Sequence, residues 1–464
     1  MNTSMEAINP AVVELCKSLI AIPSVTTAGT RRIAEFCASE ILAPRGIEAR
    51  LIPSPVEGPE QVNLVAFVKG ADRAVAPLLL TTHLDTVPPG NTALWTKCGG
   101  DPFEASIDGD RIFGLGSADT KLDFVAKAFA LAECGQPLRD VWLVGSFGEE
   151  HGLAGAKELV ASALLPRNAI AMVGEPSRLK VITAHKGLMV FEVAIHFRPE
   201  PADRHLDSRR LIFSGKAAHS STPALGENAI AKALAAIATQ SQFQLVSIDG
   251  GDAVNKVPAW CEVVVAADTA QAFAASRSED TGPVRHVIPA VAVQTLAGFA
   301  DSLNEFANAA SPIDADYSAP TLTSNLGLVR TSSDVIVLEF ELRSPPSLDV
   351  NVVRDGVHAI VERLADGAPE LNLTLVVKRT NPGFRSPAGS EAVELALAAL
   401  ARAQLPLETN VKSGCTEAGV YAAAGLGPIV FGPGPSTGVI HAPNEYNFLS
   451  EVAAAIRFYR ALLD

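Results

Sequence analysis

Short apolar runs alternate with helical patterns in the first third of the chain, and this alternation most constrains the fold. The runs are NLVAFVKG, APLLLTTHLD, VWLVGSF and AIAMVGEPS, and helical patterns such as TKLDFVAKAFALAEC lie between them. Continuous apolar runs predict strands that are buried on both faces, with helices covering a central sheet. The last third repeats the pattern in EAVELALAALARAQ, AGVYAAAGLGPIVFGPG and LSEVAAAIRFYRALL. The predicted fold class is α/β.

The middle of the chain has a different character. From LMVFEVAIHF to LNLTLVVKR it is rich in strand-like runs, and the helical pattern GENAIAKALAAIATQ interrupts them. A chain of 464 residues exceeds the roughly 250–300 residues at which single cores stop growing, so we expect two domains. We predict that residues 1–182 and 385–464 form the α/β domain, and that 183–384 form an inserted α+β domain.

The composition excludes several classes of protein. Hydrophobic residues make up 48% and charged residues 19%, which allows a large core and argues against global disorder. The formal net charge of −14 argues against nucleic acid or an anionic membrane as a partner, because phosphate groups bind clustered Lys and Arg. The composition says little about small substrates.

Cysteine usage and the first residues indicate the compartment. The six cysteines are scattered without a C-x-x-C pair, which predicts a reducing environment. The start, MNTSMEAINPAVVELCKSLIAIPSV, lacks a basic n-region and has apolar residues at helical spacing, so we interpret it as an amphipathic helix rather than a signal peptide. No run reaches the roughly 18 apolar residues of a spanning helix. We expect a cytoplasmic protein.

Side chains of the types that bind metal ions follow the predicted strands or lie in loops near the ends of those strands. They are His83, Asp85, Asp119, Glu149, Glu150, Glu175 and His441. Open α/β sheets bind ligands beyond the carboxyl ends of their strands, so we expect these side chains to converge. Imidazole and carboxylate ligands suit zinc, with cobalt or manganese as substitutes.

Each of these signals has a structural alternative. A single His or Asp at a strand end is commonly a hydrogen-bonded cap, and the adjacent pair Glu149 and Glu150 is typical of a solvated turn. A series of such residues, each after an apolar run, is harder to explain structurally. The series therefore favours a metal site.

The motifs LIAIPSV, HLDTVP, GSADTK, GEEHG, GEPS, GKAAHSSTPALGENAI and HAPNE span nearly the whole chain. Together they resemble the dinuclear-zinc family of acetylornithine deacetylase, succinyl-diaminopimelate desuccinylase, aminoacylase, glutamate carboxypeptidase and carnosinase-like dipeptidases. The resemblance implies a catalytic α/β domain that binds two Zn²⁺ per chain, and an inserted lid or dimerisation domain.

The resemblance also implies the ligand set. Asp119 would bridge the two metal ions. His83 and Glu175 would complete one site, and Glu150 and His441 would complete the other.

Two further residues of this domain receive roles from the resemblance. Asp85 would accept a hydrogen bond from the ring of His83, and Glu149 would be the general base. A cis peptide bond is expected between Asp119 and Thr120.

Four residues are implied to contact the substrate. His219 resembles the histidine that polarises the oxyanion, Arg343 the arginine that binds a substrate carboxylate, and Asn255 a substrate-contacting asparagine. Gly414 would offer its backbone N–H to the same carboxylate. A structural histidine and a solvated arginine remain the alternatives, and we interpret Asn325 in SNLG as a turn residue.

The implied reaction is hydrolysis of the amide bond of an N-acyl amino acid or small peptide, releasing a free amino acid. Glu175 at the third ligand position is typical of deacylases and carboxypeptidases, whereas the size of the insert resembles carnosinase-like dipeptidases. A small-molecule substrate with a free carboxylate is the expected partner, and homodimer and monomer both remain open. A non-enzymatic binding protein would lack a ligand or Glu149, and a serine hydrolase would need a G-x-S-x-G elbow after a strand.

Overall fold

The computed structural model describes residues 8–202, 207–238, 243–267 and 277–464. The chain divides into two compact units, which we call the first unit (Met1–His185 with Phe384–Asp464) and the second unit (Lys186–Gly383). The domain boundaries expected from the sequence lie at 182/183 and 384/385.

The first unit alternates helices and strands along the chain. Its helices are α1 (Pro10–Ile20), α2 (Arg31–Phe36), α3 (Lys121–Glu133), α4 (Ala154–Ala161), α8 (Glu391–Arg402), α9 (Ala418–Ala423) and α10 (Leu449–Leu463). Its strands are β1 (Ala49–Ser54), β2 (Gly58–Val68), β3 (Leu78–His83), β4 (Ser106–Asp108), β5 (Arg111–Phe113), β6 (Val141–Ser146), β7 (Ile170–Gly174), β8 (Val181–His185), β19 (Phe384–Arg385), β20 (Thr409–Lys412), β21 (Gly427–Phe431) and β22 (Tyr446–Phe448). The four apolar runs of the first third are strands β2, β3, β6 and β7, as predicted.

A nine-stranded sheet lies at the centre of the first unit, counted over the described residues. Its order is β1-β2-β6-β3-β7-β21-β8-β19, with β20 paired to β8. Leu78 and Leu80 of β3 pack into a cluster with α1, α3, α8 and α10, while Leu79 packs with α4 and α9. Because successive strand residues point to opposite faces, helices cover the sheet on both sides. The predicted α/β class is confirmed.

The parallel strands of this sheet end at a common edge. Strand β3 is parallel to β6 and to β7, with His83 paired to Ser146 and Thr82 paired to Gly174. Strand β21 is parallel to β7, and its Phe431 pairs with Gly174. The loops that follow these strands therefore begin side by side. The Asp119–Thr120 bond in the loop before α3 is cis, as expected.

The second unit is built on an antiparallel sheet. Its strands are β9 (Leu188–His196), β10 (Glu200–Pro201), β11 (Asp207–Ser214), β12 (Gln244–Gly250), β13 (Trp260–Ala267), β14 (Arg277–Pro283), β15 (His286–Val287), β16 (Thr323–Thr331), β17 (Val335–Arg343) and β18 (Asn372–Asn381). Its helices are α5 (Ala229–Ala238), α6 (Ala290–Ala309) and α7 (Val350–Gly367). Eight described strands form the sheet β14-β11-β13-β12-β16-β17-β9-β18, and one buried cluster joins all three helices to it. The α+β character of the insert is confirmed.

One residue of the second unit differs from its predicted conformation. Asn325 was expected in a turn, but it lies in β16 and its side chain is buried. Its Nδ2 donates to the carbonyl oxygens of Val254 and Lys256, at 3.0 and 2.9 Å. Side-chain burial and these hydrogen bonds outweigh the turn preference of Asn325, and Gly327 lies in the same strand.

Two observations concern the environment of the protein. None of the helices in the described residues is long and apolar enough to cross a membrane. All six cysteines carry free thiols, in agreement with the absence of a disulfide framework expected from their spacing.

Helix α3 is attached to the central sheet by a buried ion pair. Lys127 Nζ lies 2.6 Å from Asp123 Oδ2, and both side chains are at most 1% exposed. Lys127 also donates to the carbonyl of Thr81 and to Thr82 Oγ1, and Asp123 accepts from Thr82 and from Tyr459. Because every charge in this network has polar partners, burial of the pair is tolerated.

We predict that Lys127→Met destabilises the protein by about 3–5 kcal/mol, since removal of one partner leaves an uncompensated buried carboxylate. The matched control is Lys97→Met, because Lys97 forms an exposed ion pair with Asp108 at 3.0 Å and such pairs contribute about 0–1 kcal/mol. Calorimetric melting temperatures measure both. Equal shifts for the two variants would contradict the prediction.

Candidate metal centre

His83 stands at the carboxyl end of β3 and is almost completely buried. Its Nδ1 lies 3.0 Å from the backbone carbonyl of Asp85 and 3.5 Å from the Asp85 carboxylate. The ring nitrogen of His83 therefore faces Asp85, the residue expected to accept from it, and the backbone oxygen of Asp85 is the nearer of the two acceptors. An N–H on Nδ1 leaves the lone pair of Nε2 available for a metal ion.

The Asp85 carboxylate also contacts the loop after β6. It accepts hydrogen bonds from the backbone N–H groups of Glu149 and Glu150, at 3.1 and 3.3 Å. The hydroxyl of Thr26 donates to the same carboxylate at 2.7 Å. Since β3 and β6 are adjacent, a side chain just beyond β3 reaches the two glutamates that follow β6.

Asp119 lies between the two histidines. Its Oδ1 is 3.3 Å from His83 Nε2, and its Oδ2 is 3.2 Å from His441 Nε2. His441 Nε2 is also 3.1 Å from Glu150 Oε1. Burial acts to raise the pKa of the Asp119 carboxyl, but hydrogen bonds from His441 and His83 lower it below its usual range. Each oxygen of Asp119 therefore faces a different ligand group.

The predicted ligands form two groups that share one residue. His83, Asp119 and Glu175 form one, and Asp119, Glu150 and His441 form the other; the ligand atoms within each group lie within 4.8 Å of one another. We call them the His83 group and the His441 group. The structure thus brings all five predicted ligands together.

The acidic residues crowd one another at this edge. Burial, followed by the negative charge of Glu175, raises the pKa of the Glu149 carboxyl well above its ordinary value. Burial acts to lower the pKa of the His441 ring, but hydrogen bonds to Asp119 and Glu150 raise it to about 11. The raised pKa of His441 reflects the neighbouring carboxylates, whereas that of Glu149 reflects burial first and the charge of Glu175 second.

These donors fit divalent metal ions. The imidazole nitrogens and carboxylate oxygens are ligands for zinc and related metals. A bound cation would neutralise the crowded carboxylates and displace the protons that their field otherwise holds on the histidines. Crowded carboxylates beside two imidazoles, buried in the His83 group and partly exposed in the His441 group, are a donor set that fits a metal centre.

Two residues that sequence reasoning missed lie beside the ligands. Lys412 Nζ is 2.6 Å from Glu175 Oε2. Glu445, which is 1% exposed, accepts the backbone N–H groups of Ala118 and Asp119 at 2.9 and 3.0 Å. The sequence contained a signal for each residue. Lys412 is the last residue of a short strand, and Glu445 is the last residue of the HAPNE motif.

Gly414 lies in the loop after β20. A Cβ atom built on it would be 3.8 Å from Lys412 Cε, which places Gly414 beside the lysine that contacts Glu175. This location agrees with a position near the candidate metal centre.

The three predicted residues of the second unit are connected through Ser220. Arg343 donates to Ser220 Oγ at 3.3 Å, and the backbone N–H of Ser220 donates to the carbonyl of Asn255 at 3.1 Å. His219 precedes Ser220 in the chain and is exposed. Arg343 is 5% exposed, and its Nε donates to Glu341 at 2.7 Å. His219, Arg343 and Asn255 therefore share one region of the second unit.

Comparison with known proteins adds a family to this geometry. Residues 79–464 match the profile of "Peptidase family M20/M25/M40". The acetylornithine deacetylase of Edwardsiella ictaluri (strain 93-146) is 30% identical over 292 residues, which cover 57% of this chain and 68% of that protein.

Solved structures share the fold over nearly the whole length of the chain. The aminoacylhistidine dipeptidase from Vibrio alginolyticus has a TM-score of 0.70 at 18% identity and covers 100% of this chain and 98% of its own. The M20 family metallo-carboxypeptidase Sso-CP2 from Sulfolobus solfataricus has a TM-score of 0.62 at 16% identity. The match covers 97% of this chain and 98% of that chain. At these identities the likeness shows the fold alone. With the family profile matching most of the sequence, the chain belongs to peptidase family M20/M25/M40, and the predicted class of amide-bond hydrolase is confirmed.

Proposed function

We propose that the first unit binds two Zn²⁺ ions and hydrolyses the amide bond of an N-acyl amino acid, releasing the free amino acid. The observation that carries the proposal is the pair of ligand groups that share Asp119. Cobalt or manganese would substitute for zinc, because the donors are nitrogen and oxygen. The free thiols of all six cysteines support a location in the cytoplasm.

The five proposed ligands are divided between the two metal ions. His83 and Glu175 would hold one ion, Glu150 and His441 the other, and Asp119 would bridge them. When bound, the ions supply Lewis-acid chemistry that polarises the carbonyl of the scissile amide.

Glu149 is the proposed general base. Its backbone N–H is fixed by the Asp85 carboxylate, so its side chain starts from a defined position beside Glu150. A carboxylate in this position can take a proton and later return it. Glu149 would accept a proton from the attacking water and deliver it to the leaving amine nitrogen.

We further propose that the second unit supplies the contacts to the substrate. The guanidinium of Arg343, oriented by Glu341, would bind the substrate carboxylate, and Asn255 would assist. His219 would stabilise the developing oxyanion, and the backbone N–H of Gly414 in the first unit would contribute to carboxylate binding.

Three observations bear on the substrate, and they do not all favour the same one. Glu175, rather than Asp, at the third ligand position supports deacylation, as does similarity to an acetylornithine deacetylase over 57% of the chain. The second candidate is a dipeptidase, because the aminoacylhistidine dipeptidase shares the fold over 100% of the chain, which includes the large second unit. We place deacylation first because identity to the deacetylase is 30%, whereas identity to the dipeptidase is 18%.

The first prediction concerns metal content. Wild-type protein is expected to bind two ions per chain, Asp119→Ala to lose both, and His441→Ala to lose one, since only Asp119 belongs to both groups. Elemental analysis by mass spectrometry after dialysis measures the stoichiometry. Glu133→Gln on the exposed end of α3 is the control; full metal content in Asp119→Ala would refute the bridging role.

The second prediction concerns Glu149. Glu149→Gln is expected to lower kcat by about 10²–10⁴-fold, because the amide cannot take the proton, while metal content stays at the wild-type level. The neighbouring exposed residue provides the matched control, His151→Gln, which should retain activity. A Glu149→Gln variant that turns over normally would show that another group is the base.

The third prediction concerns the substrate. Zinc-loaded protein is expected to release amino acids from N-acyl amino acids more readily than from dipeptides, and a chelator should abolish the release. Mass spectrometry of a mixed panel measures it. Release from dipeptides alone would make the second candidate correct.

A further inference from the structure

Lys412 places a cation against one ligand of the His83 group. It is the last residue of β20, which pairs in parallel with β8 at the side of the central sheet. Its side chain is 18% exposed, and Nζ lies 2.6 Å from Glu175 Oε2. A lysine side chain ordinarily carries a positive charge at neutral pH, so this contact is an ion pair.

The two oxygens of Glu175 are placed differently. Oε1 faces the ligand group and lies 3.9 Å from His83 Nε2. Oε2 is held by Lys412 in a charge-assisted hydrogen bond, which is about twice as strong as a neutral one. A free carboxylate can offer a metal ion one oxygen or both, and here the second oxygen is already occupied.

We propose that Lys412 is a positioning residue that holds Glu175 as a single-oxygen ligand and so keeps one coordination position of the His83 group open. This inference rests on the proposed metal-dependent hydrolysis. Catalytic zinc sites differ from structural ones in keeping a position free for water or substrate.

Removal of the ammonium has two consequences that act in the same direction. Glu175 Oε2 becomes available as an additional ligand for the ion. The repulsion between the ammonium and a divalent cation, which is substantial at short range in a partly buried site, also disappears. Metal binding at the His83 group should therefore tighten, while the position needed by the reaction closes.

This combination separates the inference from a purely structural role. A lysine that merely supports the loop would, when replaced, weaken metal binding and activity together. A lysine that binds the substrate carboxylate would raise KM and leave metal affinity unchanged. Only a lysine that restricts Glu175 gives tighter binding with slower turnover.

The experiment compares Lys412→Met, of similar length but uncharged, with Lys412→Arg, which keeps a cationic donor. Lys180→Met is the matched control, because Lys180 forms an ion pair with Glu408 at 2.8 Å and its side chain is 42% exposed. Zinc affinity is measured by competition with a chromophoric chelator, the visible absorption of the Co²⁺-loaded protein reports coordination number, and kcat and KM are measured on the same preparations.

For Lys412→Met we expect one of the two zinc ions to bind about 10-fold tighter, a weaker cobalt absorption because coordination number rises, and a kcat about 10–100-fold lower. Lys412→Arg and Lys180→Met should resemble the wild type in all three. The cobalt spectrum is the decisive readout, since it does not depend on turnover.

Unchanged or weaker metal binding in Lys412→Met, or an unchanged cobalt spectrum, would overturn the role of Lys412. That failure differs from failure of the proposed function. Wild-type protein that binds no metal, or whose hydrolysis survives chelation, would overturn the proposed function itself. Wild-type protein with two ions and chelator-sensitive hydrolysis, beside an unaltered Lys412→Met spectrum, would overturn the Lys412 inference alone.

Discussion

Mutual repulsion among buried carboxylates at one sheet edge is the constraint on which the first unit depends. Asp119, Glu150 and Glu175 contribute ligand atoms to two groups a few ångströms across, with Glu149 beside them. Isolated charges are costly to bury, so such crowding persists only when cations compensate it. Within the chain, part of that compensation comes from Lys412; the remainder falls to bound metal ions in the proposed function.

The surrounding fold holds these groups together against their repulsion. The Asp123–Lys127 network attaches α3, and with it the loop of Asp119, to the end of β3. Glu445 accepts two backbone N–H groups of the same loop and lies four residues after His441, so it links two ligand-bearing segments. These polar contacts are buried, and a buried, fully satisfied network is rigid. Their combined effect is a site whose geometry is set before any ligand arrives.

Sequence patterns predicted the strands, the covering helices and the five ligands, because apolar periodicity and strand ends are local signals. Patterns failed where the partner of a residue lies far away in the chain. The carboxylate of Asp85 contacts the backbone of Glu149 and Glu150, and Lys412 contacts Glu175. Asn325 looked like a turn residue from its neighbours, but a hydrogen bond to the segment around Asn255 places it in a strand. No local pattern contains these pairings.

The sequence by itself determined the α/β class, the insertion of a second unit and the identity of the candidate ligands, since residue type and spacing set which atoms can ligate a metal ion. Only the tertiary structure decided how the two oxygens of Asp119 and of Glu175 are directed in the His83 group and the His441 group. The two oxygens of Asp119 separate toward His83 and His441, and those of Glu175 separate toward His83 and Lys412. The physical reason is that an orientation depends on every neighbour a folded side chain meets, and those neighbours come from strands distant in sequence.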